Sequence, residues 1–134
     1  MNKREVVSAF IDRINAHDVD GICALMAEEH TFIDALGRSM KGRDAMQEAW
    51  QSYLAMIPDY WIKIDRVLED ETAVAVFGRA GGTVASDGRV DAANGWETPA
   101  AWLAVVGSTG IALWQVFADT GAVRERIVKT SAAW

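Results

Sequence analysis

The sequence is short of the residues that staple chains or clasp metals. One cysteine, Cys23, stands alone among 134 residues, so no disulfide can form within the chain. Only two histidines occur, and no pair of His, Cys or carboxylate has ligand spacing such as H-x-x-x-H or C-x-x-C. That pattern predicts no metal site. Basic charge is also scarce: 13 Lys and Arg stand against 19 Asp and Glu, a formal net charge of -6. Nucleic acids and anionic membranes select a basic surface, so neither is an expected partner. No apolar run approaches the length of a membrane span. The opening residues Met1 to Glu5 are charged, with no apolar leader behind them, and the expected location is cytoplasmic.

What is present is ordinary globular material with one excess. Hydrophobic residues make up 51% and charged residues 24%, enough for a sizeable core in one domain spanning 1–134. Six tryptophans exceed what such a core requires and point to an aromatic-lined pocket. Residues 3–16 place Val6, Val7, Phe10, Ile11 and Ile14 at helical spacing. Asp18 can cap a second helix over Val19 to Ala27. His30 to Ala35 alternates and reads as a strand, followed by a turn at Leu36 to Arg38. A third helix runs from Arg43 to Ile57 with Met46, Trp50, Tyr53, Leu54 and Ile57 on its apolar stripe, and Pro58 stops it. Strands are predicted over Tyr60 to Leu68 and Thr72 to Ala80. Glycines and polar residues make Gly81 to Gly95 a loop. Two strands, Thr98 to Val106 and Ile111 to Asp119, form a hairpin about Gly107 to Gly110. Thr120 to Trp134 is weakly patterned. Helices first and strands afterwards argue an α+β fold with a mostly antiparallel sheet that curves over three helices.

This order resembles the nuclear transport factor 2-like superfamily, which includes ketosteroid isomerase and the SnoaL-like polyketide cyclases. The resemblance rests on Phe10 to Asp20, Met26 to Asp34, Gly42 to Ala45, Pro99 to Val106 and Trp114 to Asp119, and covers nearly the whole chain. It implies a cone-shaped sheet around three N-terminal helices, a central pocket at the open end, and a homodimer. Dimerisation also fits the last strands, which are apolar on both parities: Ala101, Leu103 and Val105 against Trp102, Ala104 and Val106. The superfamily holds isomerases, dehydratases, cyclases, epoxide hydrolases and non-enzymatic binders, so function must come from the site.

Asp34 is the catalytic candidate. On an alternating strand it shares a face with His30 and Phe32. Burial beside Phe32 would raise its pKa, make it a usable base and leave Asp34→Asn at least as stable as the parent. The resemblance puts it where ketosteroid isomerase-like enzymes keep their proton-moving aspartate. The competing reading is a strand-end carboxylate that caps the turn at Gly37. The remaining isomerase machinery is missing: its tyrosine position falls on Phe10, and its protonated aspartate on Ala101 or Trp102. Steroid isomerase activity is therefore not expected. An Asp-Arg-Asp set like that of the superfamily's epoxide hydrolases exists only in composition, as Asp34, Arg79 and Asp119. Arg79 reads better as a surface ion-pair residue, and Asp119 as structural. His17 reads as a helix-end residue, and Cys23 as an inert core thiol.

The ligand-contacting candidates are Phe10, Ile14, Trp50, Tyr53 and Leu54 on helices. His30, Phe32, Trp102, Trp114 and Val116 join them from strands. Tyr53 and Tyr60 are the only phenols and could supply a donor, although neither holds the family's position for it. Two functions fit. One is an isomerase, lyase or cyclase that needs no cofactor, using Asp34 as acid and base on a cyclic or polyketide-like apolar substrate. The other is a binding or carrier module with the same pocket and no turnover.

Overall fold

The computed structural model describes residues 1–130; the expectation for the last four residues lies outside them. Helix α1 spans Lys3–Asn15. Its start is fixed by a capping box: Asn2 Oδ1 accepts the Glu5 N–H at 2.9 Å, and Glu5 Oε1 accepts the Asn2 N–H at 3.1 Å, so two end donors are satisfied reciprocally. Val7, Phe10, Ile11 and Ile14 form its buried stripe. Helix α2 is shorter than its pattern, Val19–Ala24. Met26 and Ala27 leave it to begin strand β1, Met26–Ile33, where both are buried. Strand β2, Ser39–Lys41, was not anticipated; it is three exposed residues with no apolar alternation to betray it. Helix α3, Arg43–Met56, follows the predicted stripe.

Strand β3 is Trp61–Glu69, β4 Ala73–Ser86, β5 Arg89–Gly107 and β6 Gly110–Ala118. The expected loop over Gly81 to Gly95 is instead the far end of the long β4–β5 hairpin. Its tip is Asp87-Gly88, with φ of 51° and 74°, the left-handed pair that a two-residue hairpin turn demands. Gly81 and Gly82, which suggested a loop, mark close packing. A Cβ on Gly81 would lie 2.6 Å from the Trp61 ring and 2.8 Å from the Trp96 carbonyl oxygen. A fourth helix, α4, Gly121–Thr130, was also missed. Only Val123 is buried along it, so it carries almost no periodic signal. It packs on β4 and β5, and Arg126 Nε donates to the Gly95 carbonyl at 3.2 Å.

The six strands form one curved, unclosed sheet in the order β2-β1-β6-β5-β4-β3. Only β1 and β6 pair in parallel. The architecture is α+β, with α1 to α3 on the concave side and the core between them and the sheet. Phe10, Ile14, Ile22, Ile57, Trp102 and Trp114 are at its centre, each at most 1% exposed. The outer face is apolar too. Phe77, Ala101 and Phe117 lie in register across β4, β5 and β6, and both phenylalanines are exposed. At the β3 edge the Asn15 side chain pairs with the strand backbone. Its Nδ2 donates to the Ile62 carbonyl at 2.9 Å and its Oδ1 accepts the Ile62 N–H at 2.8 Å. No helix among the described residues is long and apolar enough to cross a membrane.

Candidate ligand cavity

Four elements converge on one chamber of about 200 Å³ between α3 and the concave sheet. Strand β1 contributes Phe32, helix α3 Trp50 and Tyr53, the α3–β3 connection Tyr60, and β5 and β6 Trp102 and Trp114. Strand register brings the sheet residues together. Phe32 pairs with Trp114 across the parallel β1–β6 contact, and Trp102 with Val116 across β5–β6. Trp102 and Trp114 stack at 6.3 Å with an interplanar angle of 20°. On the helix side, Trp50 and Tyr53 meet edge to face at 6.2 Å, and Tyr53 meets Tyr60 likewise at 5.1 Å. Met46 and Ala49 complete the α3 wall, and Ala35, Val116 and Thr120 close the sheet side. No charged side chain lines this chamber among the described residues.

Six sequence-predicted residues thus share the cavity: Phe32, Trp50, Tyr53, Trp102, Trp114 and Val116. Phe10, Ile14 and Leu54 do not reach it. They lie in the core cluster, and the Phe10 ring packs edge-on behind Trp114 at 4.9 Å. His30 is fully buried, and its Nδ1–H donates to the Ile111 carbonyl at 2.6 Å. Nε2 is left without a partner among the described residues. Burial lowers the His30 pKa and outweighs the bond to Ile111, which acts the other way. Tyr60, named from the sequence only as a possible donor, is a further wall residue, as are Ala35, Met46, Ala49 and Thr120. Tyr60 was expected to open the strand, but β3 begins at Trp61, so Tyr60 sits ahead of the alternation.

Asp34 departs from expectation. It lies one residue beyond the end of β1, where the chain turns and the alternation that placed it inward no longer applies. Its Oδ1 accepts the backbone N–H groups of Leu36 and Arg38 at 2.9 and 3.0 Å, and Oδ2 pairs with Arg38 Nε at 2.8 Å. Partial burial pushes its pKa up, but the bonds from Arg38 and Leu36 outweigh it, and the carboxyl sits below its ordinary value. The expected rise is reversed: the strand-end reading describes this geometry. Ala35, the next residue, lines the cavity, while Asp34 does not.

The other polar candidates lie elsewhere. Arg79 and Glu97 form an exposed ion pair at 2.6 Å. Asp119 accepts the Gly121 N–H at the start of α4. His17 Nε2 bonds the Tyr60 carbonyl at 2.7 Å. Cys23 is buried, and burial first of all raises its pKa. Among the described residues no group of three His, Cys, Asp or Glu side chains could hold a metal ion. A second, larger hollow of about 560 Å³ runs between α1 and β3. Arg4, Glu5, Asp12 and Lys63 mix with aliphatic residues in its walls, so it is a solvated surface groove rather than an aromatic chamber.

The chain is similar in sequence to the SnoaL-like domain family over residues 7–126. No curated protein is significantly similar to it. Solved structures share the fold. A hypothetical protein of ketosteroid isomerase-like fold from Catenulispora acidiphila, in complex with trimethylamine, is 20% identical with a TM-score of 0.79, over 99% of this chain and 98% of that one. A putative SnoaL-like polyketide cyclase from Shewanella denitrificans is 10% identical with a TM-score of 0.79, over 94% and 96%. An M. tuberculosis LEH-like epoxide hydrolase is 14% identical with a TM-score of 0.75, over 94% and 89%. At these identities the likeness speaks for the fold alone.

Proposed function

The chain belongs to the SnoaL-like domain family, and on that footing we propose that it is a receptor for one small, mostly apolar molecule held between α3 and the concave sheet. The carrying observation is six aromatic side chains lining one cavity with no charged side chain in its wall among the described residues. Such a wall offers a large apolar contact and a few fixed polar tips, the usual composition of a small-molecule site. It offers no poised acid or base. Asp34, the one carboxylate with a family precedent, is held ionised in its turn by Arg38. Filling the chamber tests the reading. Ala49→Phe adds a ring to the cavity from its α3 wall. A small apolar compound at 100 times its Kd should stabilise the parent by about 2.7 kcal/mol and leave Ala49→Phe unmoved. Equal stabilisation of both proteins would place binding elsewhere and overturn the proposal.

A second reading draws on Ala35 lying on the cavity wall. One peptide away, Asp34 would act as acid and base in a cofactor-free isomerase, lyase or cyclase, provided its carboxylate exchanged Arg38 for a substrate. This reading requires turnover that Asp34→Asn abolishes and that Arg38→Ala shifts to higher pH optimum, since losing the guanidinium raises the carboxyl pKa. Both readings place the protein in the cytoplasm as a homodimer. The exposed Phe77 and Phe117 on the outer sheet face support that assembly, because a contiguous apolar face favours a covering layer.

A further inference from the structure

The same wall restricts the chemistry of its occupant, an inference that rests on the receptor reading. Its polar tips are few. Tyr53 and Tyr60 bring two phenol hydroxyls, and Thr120 a third hydroxyl. No hydrogen bond to either phenol forms among the described residues, and burial pushes both above the ordinary tyrosine range, so they stay neutral. Tyr60 is only 8% exposed. A phenol hydroxyl set in so apolar a wall gains from a partner that accepts its hydrogen bond. The indole N–H of Trp50 is also unpartnered but is sealed off by its neighbours, whereas the two phenols stand together on the wall, ring to ring at 5.1 Å.

Charge and size narrow the class further. Among the described residues no Lys, Arg, His, Asp or Glu side chain lines the chamber. A carboxylate would enter without a counter-charge, and buried charges without partners are costly. An ammonium would gain from the aromatic faces but could not accept a hydrogen bond from the phenols. The volume is about 200 Å³. A cavity of about 150 Å³ admits benzene, and drug-sized ligands need about 300 Å³ or more. That volume matches a single ring and falls short of a multi-ring skeleton.

We infer that the cavity selects a neutral, single-ring or equally compact molecule bearing an oxygen that hydrogen-bonds the Tyr53 and Tyr60 hydroxyls. Calorimetric titration with five probes tests this: acetophenone, its hydrocarbon isostere cumene, benzoate, phenyltrimethylammonium and the four-ring ketone progesterone. Acetophenone should bind about tenfold more tightly than cumene, the worth of one hydrogen bond at the upper end of its range. Tyr53→Phe and Tyr60→Phe together should remove that advantage while cumene affinity holds, which also shows that the variant is folded. Benzoate, phenyltrimethylammonium and progesterone should bind at least tenfold more weakly than acetophenone. Equal binding of acetophenone and cumene, or an acetophenone preference that survives the double variant, overturns the inference and leaves the receptor reading standing. Tighter binding of either ion, or of progesterone, overturns the assignment of charge or size. Binding of no probe at all overturns both.

Discussion

At the scale of single residues, two titratable groups make opposite demands on pH. Asp34 has a folded-state pKa below its ordinary value because Arg38 and Leu36 donate to its charged form. A depressed carboxyl pKa contributes stability that is present above the unfolded value, about 3.9, and is lost as pH falls through the folded one. Asp34→Asn keeps the shape but gives up the Arg38 ion pair and one strong acceptor. It should lower stability by about 1 kcal/mol at pH 7, in contrast to the neutral outcome expected from a buried base. Urea titrations of the two proteins at pH 7 measure this; an equal or raised midpoint for the Asn variant would remove the turn-capping role. His30 is the converse case. Its folded pKa is depressed by burial, and for a cation this means the unfolded chain binds the proton better. Its contribution is fully present above about pH 6.5 and is lost as pH falls below it. The parent should lose thermal stability from pH 7 to pH 5, and His30→Gln, which keeps a donor for Ile111 and cannot take up a proton, should lose less. Parallel slopes would mean that His30 is not the group being protonated.

At the scale of elements, sequence and structure agree where apolar periodicity is strong and separate where backbone geometry decides. The stripes of α1 and α3 were legible because their buried side chains recur every three or four residues. The aromatic wall was legible for the same reason: Trp50 and Tyr53 share a helix face, and Trp102 and Trp114 are each flanked by less buried neighbours on their strands. The outer half of the β4–β5 hairpin was not, because Gly81, Gly82, Gly88 and Gly95 mean different things there. Gly88 serves a turn, whereas Gly81 clears the Trp61 ring. Substitution separates the two. Gly88→Ala meets no atom within 4 Å and should cost only its left-handed backbone penalty, about 1 kcal/mol. Gly81→Ala must displace the Trp61 ring and the Trp96 carbonyl, and should cost clearly more. Chemical denaturation ranks them; a costlier Gly88→Ala would mean that the tip, not the close contact, holds the hairpin. Asp34 failed to be legible for a related reason. Alternation extrapolates a strand by one residue, and here the strand had already ended.

At the scale of the molecule, the sheet has two apolar faces and the helices cover one. The row formed by Phe77, Ala101 and Phe117, with Leu68 exposed nearby on β3, would be covered in the proposed dimer. The parent should run as a dimer at micromolar concentration by light scattering. Phe77→Glu with Phe117→Glu should give a monomer, because like charges would face one another across a two-fold interface. A monomeric parent would remove the dimer, and a dimeric double variant would move the interface to another face.

An open sheet also has rims, and a rim of unpaired backbone invites the next chain to add a strand. Here one rim is the three-residue β2. The other is β3, where the Asn15 amide occupies both the N–H and the carbonyl of Ile62. That side chain does what a neighbouring strand would do, but it ends after a single residue and leaves nothing to propagate. A contact that reads as a tie between α1 and the sheet is therefore also a guard against fibrous growth. It sits on the rim where β3, with nine residues against three, would otherwise offer the longer template.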